Sequence, residues 1–310
     1  MPEKQSFNFT SMDWEAYTKF RPIYPQELYS KIYAHHDSHL GAYSSAIDIG
    51  AGVGIVSIEL IKKFSHVTVT DPSEAYVSSA KSLFAKYPQD KIDFLTTKAE
   101  EISLENLPKK GEKVDLVTAA ECLHWADVET AMPRIAEVLK PHGTFATWMY
   151  GVKPIFSEHQ TGKNSAEVIK IFFDIYDKMF HRYNTTLEPP TESSGGAAMT
   201  ARLDHMPFDP ELWKDVRRIY NNVDAPMVQE GMPTRASKVS EGEKCEKFEN
   251  EKLLVQDADY EYLEGYLVNW IPPIKVKEWG QEELASLKKA MDGQKIEITW
   301  PLVLILATKK

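Results

Sequence analysis

Residues 45–54 constrain this chain more than any other stretch. A short apolar run containing Asp48 leads straight into Gly50, Gly52 and Gly54, and a helical pattern follows over 55–64. The spacing predicts a strand, a tight turn and a helix N-terminus, the arrangement that binds nucleotide-like ligands at the carboxyl edge of a parallel sheet. Gly50 and Gly52, with Ala51 between them, supply permissive backbone angles and let a ligand touch bare main chain. The order is Asp-x-Gly-x-Gly-x-Gly rather than Gly-x-Gly-x-x-Gly. A carboxylate at 48 would repel a pyrophosphate, so a ligand with a positive charge and no phosphates fits better. The competing reading is a glycine-rich turn that binds nothing.

A chain of 310 residues can bury a full α/β core, so one main domain with an insertion is expected rather than two equal halves. Residues 1–40 read as an arm and a helix, 41–151 as the α/β core, and 152–310 as the rest of the same domain. The formal charge of −10 argues against a general nucleic-acid binder, which needs a basic footprint. Cys122 and Cys245 have no metal or disulfide spacing, and no metal is expected. No apolar run is long enough to cross a membrane, and residues 1–20 are polar, with acids at Glu3, Asp13 and Glu15. A soluble cytoplasmic protein without membrane partners is the expectation. Nothing in the sequence sets its oligomeric state.

The chain then alternates. Helix 26–35 precedes the first strand, and strands at 66–70, 91–95, 113–120 and 144–149 are separated by helices at 73–87 and 128–140, a doubly wound α/β pattern. Residues 164–182 carry Val168, Ile171, Phe172, Ile175, Met179 and Phe180 on one helical face. The polar stretch 183–201, with Pro189-Pro190 and Gly195-Gly196, reads as a flexible loop or lid. A short helix at 209–215, a strand at 216–220, an exposed excursion at 224–250, helices at 257–270 and 281–291 and a last strand at 295–308 complete the reading. Pro301 inside that strand predicts a bulge or edge contact.

Several residues fall where such a sheet binds ligands. Asp71 ends the second strand and is placed either to accept hydrogen bonds from two ribose hydroxyls or to cap the helix that Pro72 opens. Ala99 and Glu100 follow the third strand, to read an adenine edge or, for Glu100, to be a solvated first-turn acid. The fourth strand exits through Ala119, Ala120 and Glu121-Cys122-Leu123-His124-Trp125. The small alanines leave room for a ligand, and the His-Trp pair places a titratable ring and an apolar wall at the cleft. The aromatic arm, with Tyr17 and Arg21, either packs or folds over the ligand, with Arg21 in reach of a carboxylate.

Taken together, these stretches resemble the class I S-adenosylmethionine-dependent methyltransferases, whose donor is such a phosphate-free cation. The resemblance is closest to the fungal trans-aconitate methyltransferase group and its relatives acting on small molecules such as cantharidin. It rests on Tyr17…Arg21-Pro22-x-Tyr24-Pro25, Asp48-x-Gly-x-Gly, Asp71-Pro72-Ser73, Ala120-Glu121-x-x-His124-Trp125, Gly143-Thr144-Phe145-Ala146-x-Trp148-x-Tyr150, Asp209-Pro210-Glu211-Leu212, Trp270 and Ile296-Glu297-x-x-Trp300. It implies a seven-stranded sheet whose last two strands are antiparallel. It also implies that the helices near 164–182 and 257–291 roof an acceptor pocket. The loop 185–198 is Ser/Gly-rich where the aconitate enzymes carry aromatic and basic residues, so cofactor use carries over better than trans-aconitate as substrate.

Two chemistries follow. A carboxylate acceptor is already ionised at neutral pH and needs only a cationic anchor, for which Arg21 and Arg202 are candidates. A hydroxyl or amine acceptor needs a base, with His124 as the candidate and a pH limb near 6–7 as its mark. Trp125, Trp148, Tyr150, Tyr266 and Trp270 are read as aromatic walls or as plain core. A nicotinamide oxidoreductase and an S-adenosylmethionine-binding protein that transfers no methyl are the rival classes. The first conflicts with Asp48.

Overall fold

The computed structural model describes residues 18–157, 164–187 and 191–310. Strand β1 (Ser45–Ile49) pairs in parallel with β2 (His66–Asp71) on one side and β4 (Val114–Ala120) on the other. Strand β3 (Ile92–Thr96) lies beyond β2 and β5 (Leu139–Tyr150) beyond β4, again in parallel. The order therefore reverses between β1 and β4, and a crevice opens at their carboxyl ends. Helices α1 (Gln26–Ser38), α2 (Ile55–Leu60), α3 (Glu74–Phe84) and α4 (Val128–Val138) accompany these strands. All six residues of β2 are buried, which is why it reads as a continuous β-branched run rather than an alternating one.

The far half departs from expectation in several places. Strand β11 (Leu302–Lys309) runs antiparallel to both β5 and β7 (Trp213–Asn221), while β8 (Lys244–Phe248) pairs in parallel with β7. The sheet has eight strands in the order β3-β2-β1-β4-β5-β11-β7-β8, not seven. The eighth comes from the stretch expected as an exposed excursion. As a mostly exposed edge strand, Lys-Cys-Glu-Lys-Phe buries no alternate face and leaves no apolar signal. Secondly, the single strand expected over 295–308 is two strands in different sheets. Strand β10 (Ile296–Thr299) lies between β6 (Ile155–Phe156) and β9 (Val255–Ala258) in a three-stranded sheet, and Pro301 divides it from β11. Proline cannot donate to a ladder, and its carbonyl instead accepts from the Gly151 N–H at 2.7 Å.

Thirdly, the helix expected at 209–215 is a turn, with the Asp209 carboxylate accepting from the Glu211 N–H, and Trp213 already begins β7. Fourthly, 139–143 belongs to β5 and does not extend or close a helix. Its ladder to β4 shifts register there, and His142 takes a left-handed φ of 65°.

Above the crevice lie α5 (Ser165–Thr186), α6 (Gly195–Thr200), α7 (Tyr260–Asn269), α8 (Val276–Trp279) and α9 (Gln281–Met291). Helix α5 buries Val168, Phe172, Ile175, Met179 and Phe180 of the stripe its periodicity predicts, with Tyr176 in place of the partly buried Ile171, and packs on α7 and α9. The stretch 183–201 is largely helical rather than a loop, because α5 continues to Thr186 and Ser194 caps α6 by accepting from the Ala197 N–H. Pro189 and Pro190 lie outside the described residues, as does Tyr17. No described helix is long and apolar enough to cross a membrane. Among the described residues no cluster of three His, Cys, Asp or Glu side chains is disposed to hold a metal ion.

Candidate active site

The carboxyl ends of β1, β2 and β4 open on a cavity of about 430 Å³. The glycine loop forms one wall. Gly52 has φ +57°, and a Cβ built on it meets nothing within 4 Å, so its main chain faces open space. Gly50, at φ +61°, is there for a different reason. A Cβ would lie 2.4 Å from that of Cys122, so only glycine lets β1 and the β4 exit close together. Ala51 and Pro72 also line this cavity, whereas Gly54 begins α2 and abuts Phe84.

Asp71 lines the same cavity and is buried. One carboxylate oxygen accepts from the Gly52 N–H at 2.9 Å and the other from the Ser73 N–H at 2.8 Å. Each oxygen retains a lone pair, so the group both fixes the loop and can take two ribose hydroxyls. Burial raises its pKa, and the two N–H bonds oppose the rise. Asp48 is only 1 % exposed, and its oxygens accept from Ser57 Oγ at 2.5 Å and Thr118 Oγ1 at 2.8 Å. It stands at the floor of the cavity, binding β1 to α2 and β4, and burial lifts its pKa to about 6 despite those hydroxyls.

Glu121 is the first residue past β4 and adopts a left-handed φ of 52°, rare for a glutamate. Two bonds to the main chain of β5 hold this turn: the Glu121 N–H donates to the Trp148 carbonyl, and the Glu121 side-chain carboxylate accepts from the Tyr150 N–H. Burial raises the carboxyl to about pH 8, with the Tyr150 N–H and Arg21 pulling the other way. Among the described residues the carboxyls on the cavity wall are thus those of Asp48, Asp71 and Glu121, set against the Arg21 guanidinium. That balance repels phosphates and suits a cation.

A second cavity, of about 90 Å³, adjoins the first. Arg21, Glu121, Trp125 and Tyr150 line both and form the junction between them. Its other walls are mostly Phe180, Tyr183, Met199, Met232 and Trp270, the last with its ring centroid 4.4 Å from that of Phe180 at a tilt of 35°. The Trp125 ring presses on Gly195, which fixes α6 as part of the roof. Arg21 donates to the Trp270 carbonyl at 3.1 Å. Two buried polar atoms belonging to residues of this wall, His124 Nδ1 and Asn184 Oδ1, have no hydrogen-bond partner.

His124 lines only the smaller cavity. Burial, with Arg235 and His205 nearby, lowers its pKa to about 3. The ring is neutral at ordinary pH, which corrects the expectation of a histidine limb near pH 6–7. Trp148 is fully buried between Tyr24 and Tyr29 and lines neither cavity. Tyr266 stands behind the wall, with its hydroxyl donating to the Val152 carbonyl and accepting from Trp300 Nε1. Arg202 donates to the Val223 carbonyl at 2.7 Å and does not line the smaller cavity, so it is not the carboxylate anchor expected of it. Ala119 is enclosed in the sheet, and its neighbour Ala120 lines the larger cavity instead. Ala99 and Glu100 are not in the lining, and Glu100 accepts from the Asp127 N–H ahead of α4.

Sequence reasoning missed Tyr183, Asn184, Ser194, Met199 and Met232. For the first two a signal existed. They follow Phe180 by three and four residues and so extend the buried face of α5 beyond the point where the apolar pattern stops. The others lie in or near segments too short and too polar to show a period.

A sequence profile described as a methyltransferase domain matches residues 47–145. Methyltransferase pgmE of Aspergillus terreus is 30% identical over 325 residues, covering 96% of this chain and 93% of its own. Methyltransferase ptaI of Pestalotiopsis fici is 29% identical over 324 residues, with the same shares covered. A solved structure from Anaeromyxobacter dehalogenans, carrying the name of a type II methyltransferase, superposes with a TM-score of 0.55. Its identity is 20%, and the match covers 93% of this chain and 97% of that one, a likeness of fold.

Proposed function

We propose a reaction for a chain that belongs to the class I S-adenosylmethionine-dependent methyltransferases: it O-methylates a small, largely apolar molecule through a hydroxyl group. The donor cavity suits S-adenosylmethionine on its own chemistry. Gly52 leaves main chain uncovered, Asp71 has lone pairs to spare for ribose hydroxyls, and acidic groups outnumber the single guanidinium. Bound there, the donor supplies an electrophilic methyl group on a positively charged sulfur. The chain's own part is to align the acceptor with that methyl, exclude water and dispose of a proton.

The observation that carries the hydroxyl reading is the wall of the smaller cavity. It is aromatic and methionine-rich, and its one cation among the described residues, Arg21, shares the wall with Glu121. A tricarboxylate such as trans-aconitate needs several cationic anchors in a buried site. Arg202 does not supply one. A hydroxyl on an apolar frame fits these walls, and His124 Nδ1 and Asn184 Oδ1 can take up its polar groups.

The test is incubation with methyl-labelled S-adenosylmethionine and two acceptor panels, one of one- and two-ring phenols and alcohols, one of di- and tricarboxylates including trans-aconitate. Mass spectrometry should find methyl ethers from the first panel. Methyl esters from the second panel alone would overturn the reading.

A further inference from the structure

We propose that Glu121, rather than His124, takes the acceptor's hydroxyl proton and sets its carboxylate against the donor's positive sulfur, while His124 stays neutral and orients the acceptor. This rests on the O-methyltransferase reading above. The argument begins with the junction. A methyl group passing from the larger cavity to the smaller one must go between Arg21, Glu121, Trp125 and Tyr150, the residues common to both. Of these, arginine is already protonated, an indole N–H only donates, and a phenol ionises far above neutral pH. Glu121 alone can accept a proton where the bond is made. It is also held in place, by the strained φ of 52° and by the Tyr150 N–H on its carboxylate. Strain of that kind is kept where surrounding structure and function both use it.

The balance of the step is simple. The acceptor oxygen forms its bond to the methyl carbon as the C–S bond breaks with its electron pair left on sulfur, and the hydroxyl proton passes to a Glu121 oxygen. For this the carboxyl must be ionised, yet burial holds it near pH 8. The charged and titratable groups that line the two cavities with it are Arg21 from the arm, Asp48 and Asp71 across the larger cavity, Cys122 and His124 from its own turn, and the phenols of Tyr24, Tyr76, Tyr150 and Tyr183. β5 contributes the Tyr150 N–H. Only Arg21 among them favours the carboxylate electrostatically. A sulfonium beside Glu121 favours it further, so donor binding at pH 7 should expel a proton and switch the base on.

The experiment is isothermal calorimetry at pH 7 with S-adenosylmethionine and with its neutral thioether product, S-adenosylhomocysteine. Each is run in two buffers of different ionisation enthalpy, which gives the protons released. The two ligands differ only in the methyl group and the positive charge it places on sulfur, so we expect the first to release about one proton more than the second. Glu121→Gln should bind both, lose that difference, and cut turnover at least 100-fold. Glu121→Asp tolerates the left-handed backbone and keeps a carboxyl. It guards against a folding artefact by retaining the proton release while turning over slowly. His124→Gln should keep the difference and the pH profile. Equal proton counts for the two ligands in the parent protein, or a difference that survives in Glu121→Gln, would overturn the proposal. Proton release without any methylated product would instead count against the O-methyltransferase reading and leave the Glu121 assignment to the donor standing.

Discussion

Gly50→Ala and Gly52→Ala separate what the glycine loop does for the fold from what it does for the donor. Both glycines have φ near +60°, where an L-residue costs about 1–2 kcal/mol. At Gly52 that is the whole structural cost, since a Cβ there meets nothing within 4 Å. With an unfolding entropy near 2 cal/mol/K per residue over 310 residues, the loss amounts to about 2–3 °C in Tm. The added methyl, however, projects where the ligand would touch main chain. Displacing the ligand by even part of a methyl radius should weaken S-adenosylhomocysteine binding at least ~10-fold, or about 1.4 kcal/mol. At Gly50 the order inverts. The new Cβ would sit 2.4 Å from Cys122 Cβ and 2.8 Å from its sulfur, adding overpacking of about 1–3 kcal/mol to the backbone strain. The assays are thermal unfolding without ligand and calorimetric titration with S-adenosylhomocysteine. Gly52→Ala should be nearly as stable as the parent yet bind poorly, and Gly50→Ala should melt markedly lower. A Gly52→Ala protein that binds within twofold of the parent would refute the claim that this loop is the donor's contact surface.

Other outcomes follow from the same geometry. Glu121 is raised from about 4.5 to about 8, so the stability linked to it is complete below pH 4.5 and lost as pH rises through 8. Ligand-free Glu121→Gln should therefore lose less stability than the parent between pH 5 and 9. The ceiling is about 5 kcal/mol, of which roughly half is expected because the group borders two cavities; parallel melting curves across that range would contradict this. Arg202→Ala should cost about 1 kcal/mol through its bond to the Val223 carbonyl and leave acceptor KM unchanged, whereas a large rise in KM would restore it as an anchor. Trp270→Ala should raise acceptor KM about tenfold with donor affinity intact, because it lines only the acceptor cavity. Trp148→Ala should instead lower stability by about 3–5 kcal/mol, with whatever folds retaining the parent's KM.

Part of the larger cavity's lining was legible because it is written locally, although Ala99, Glu100 and Ala119 fall outside it. Asp48, the glycine turn and Asp71 each stand at a strand end within one β-α-β unit, and their spacing alone brings them to one cavity. The acceptor half was not, because α5, α6 and the residues around 228–232 meet only through long-range packing that no local period encodes. Arg202 shows the limit well. A lone cation in a loop near the right place reads as an anchor, and only the fold reveals that a carbonyl already occupies it. Trp148 failed for the opposite reason, since a strand residue near the switch point can face the core as readily as the cleft. Strand β8 escaped because an exposed edge need not alternate, and the split at Pro301 was anticipated as a disturbance but not as a change of sheet.

The most direct measurement is a crystal structure of the protein with S-adenosylhomocysteine bound. Its ribose should lie on Asp71 along the uncovered Gly52 main chain, with the sulfur at the junction of Arg21, Glu121, Trp125 and Tyr150 facing the smaller cavity. A ligand seated elsewhere, or one whose sulfur is turned away from Glu121, would contradict the account at its root.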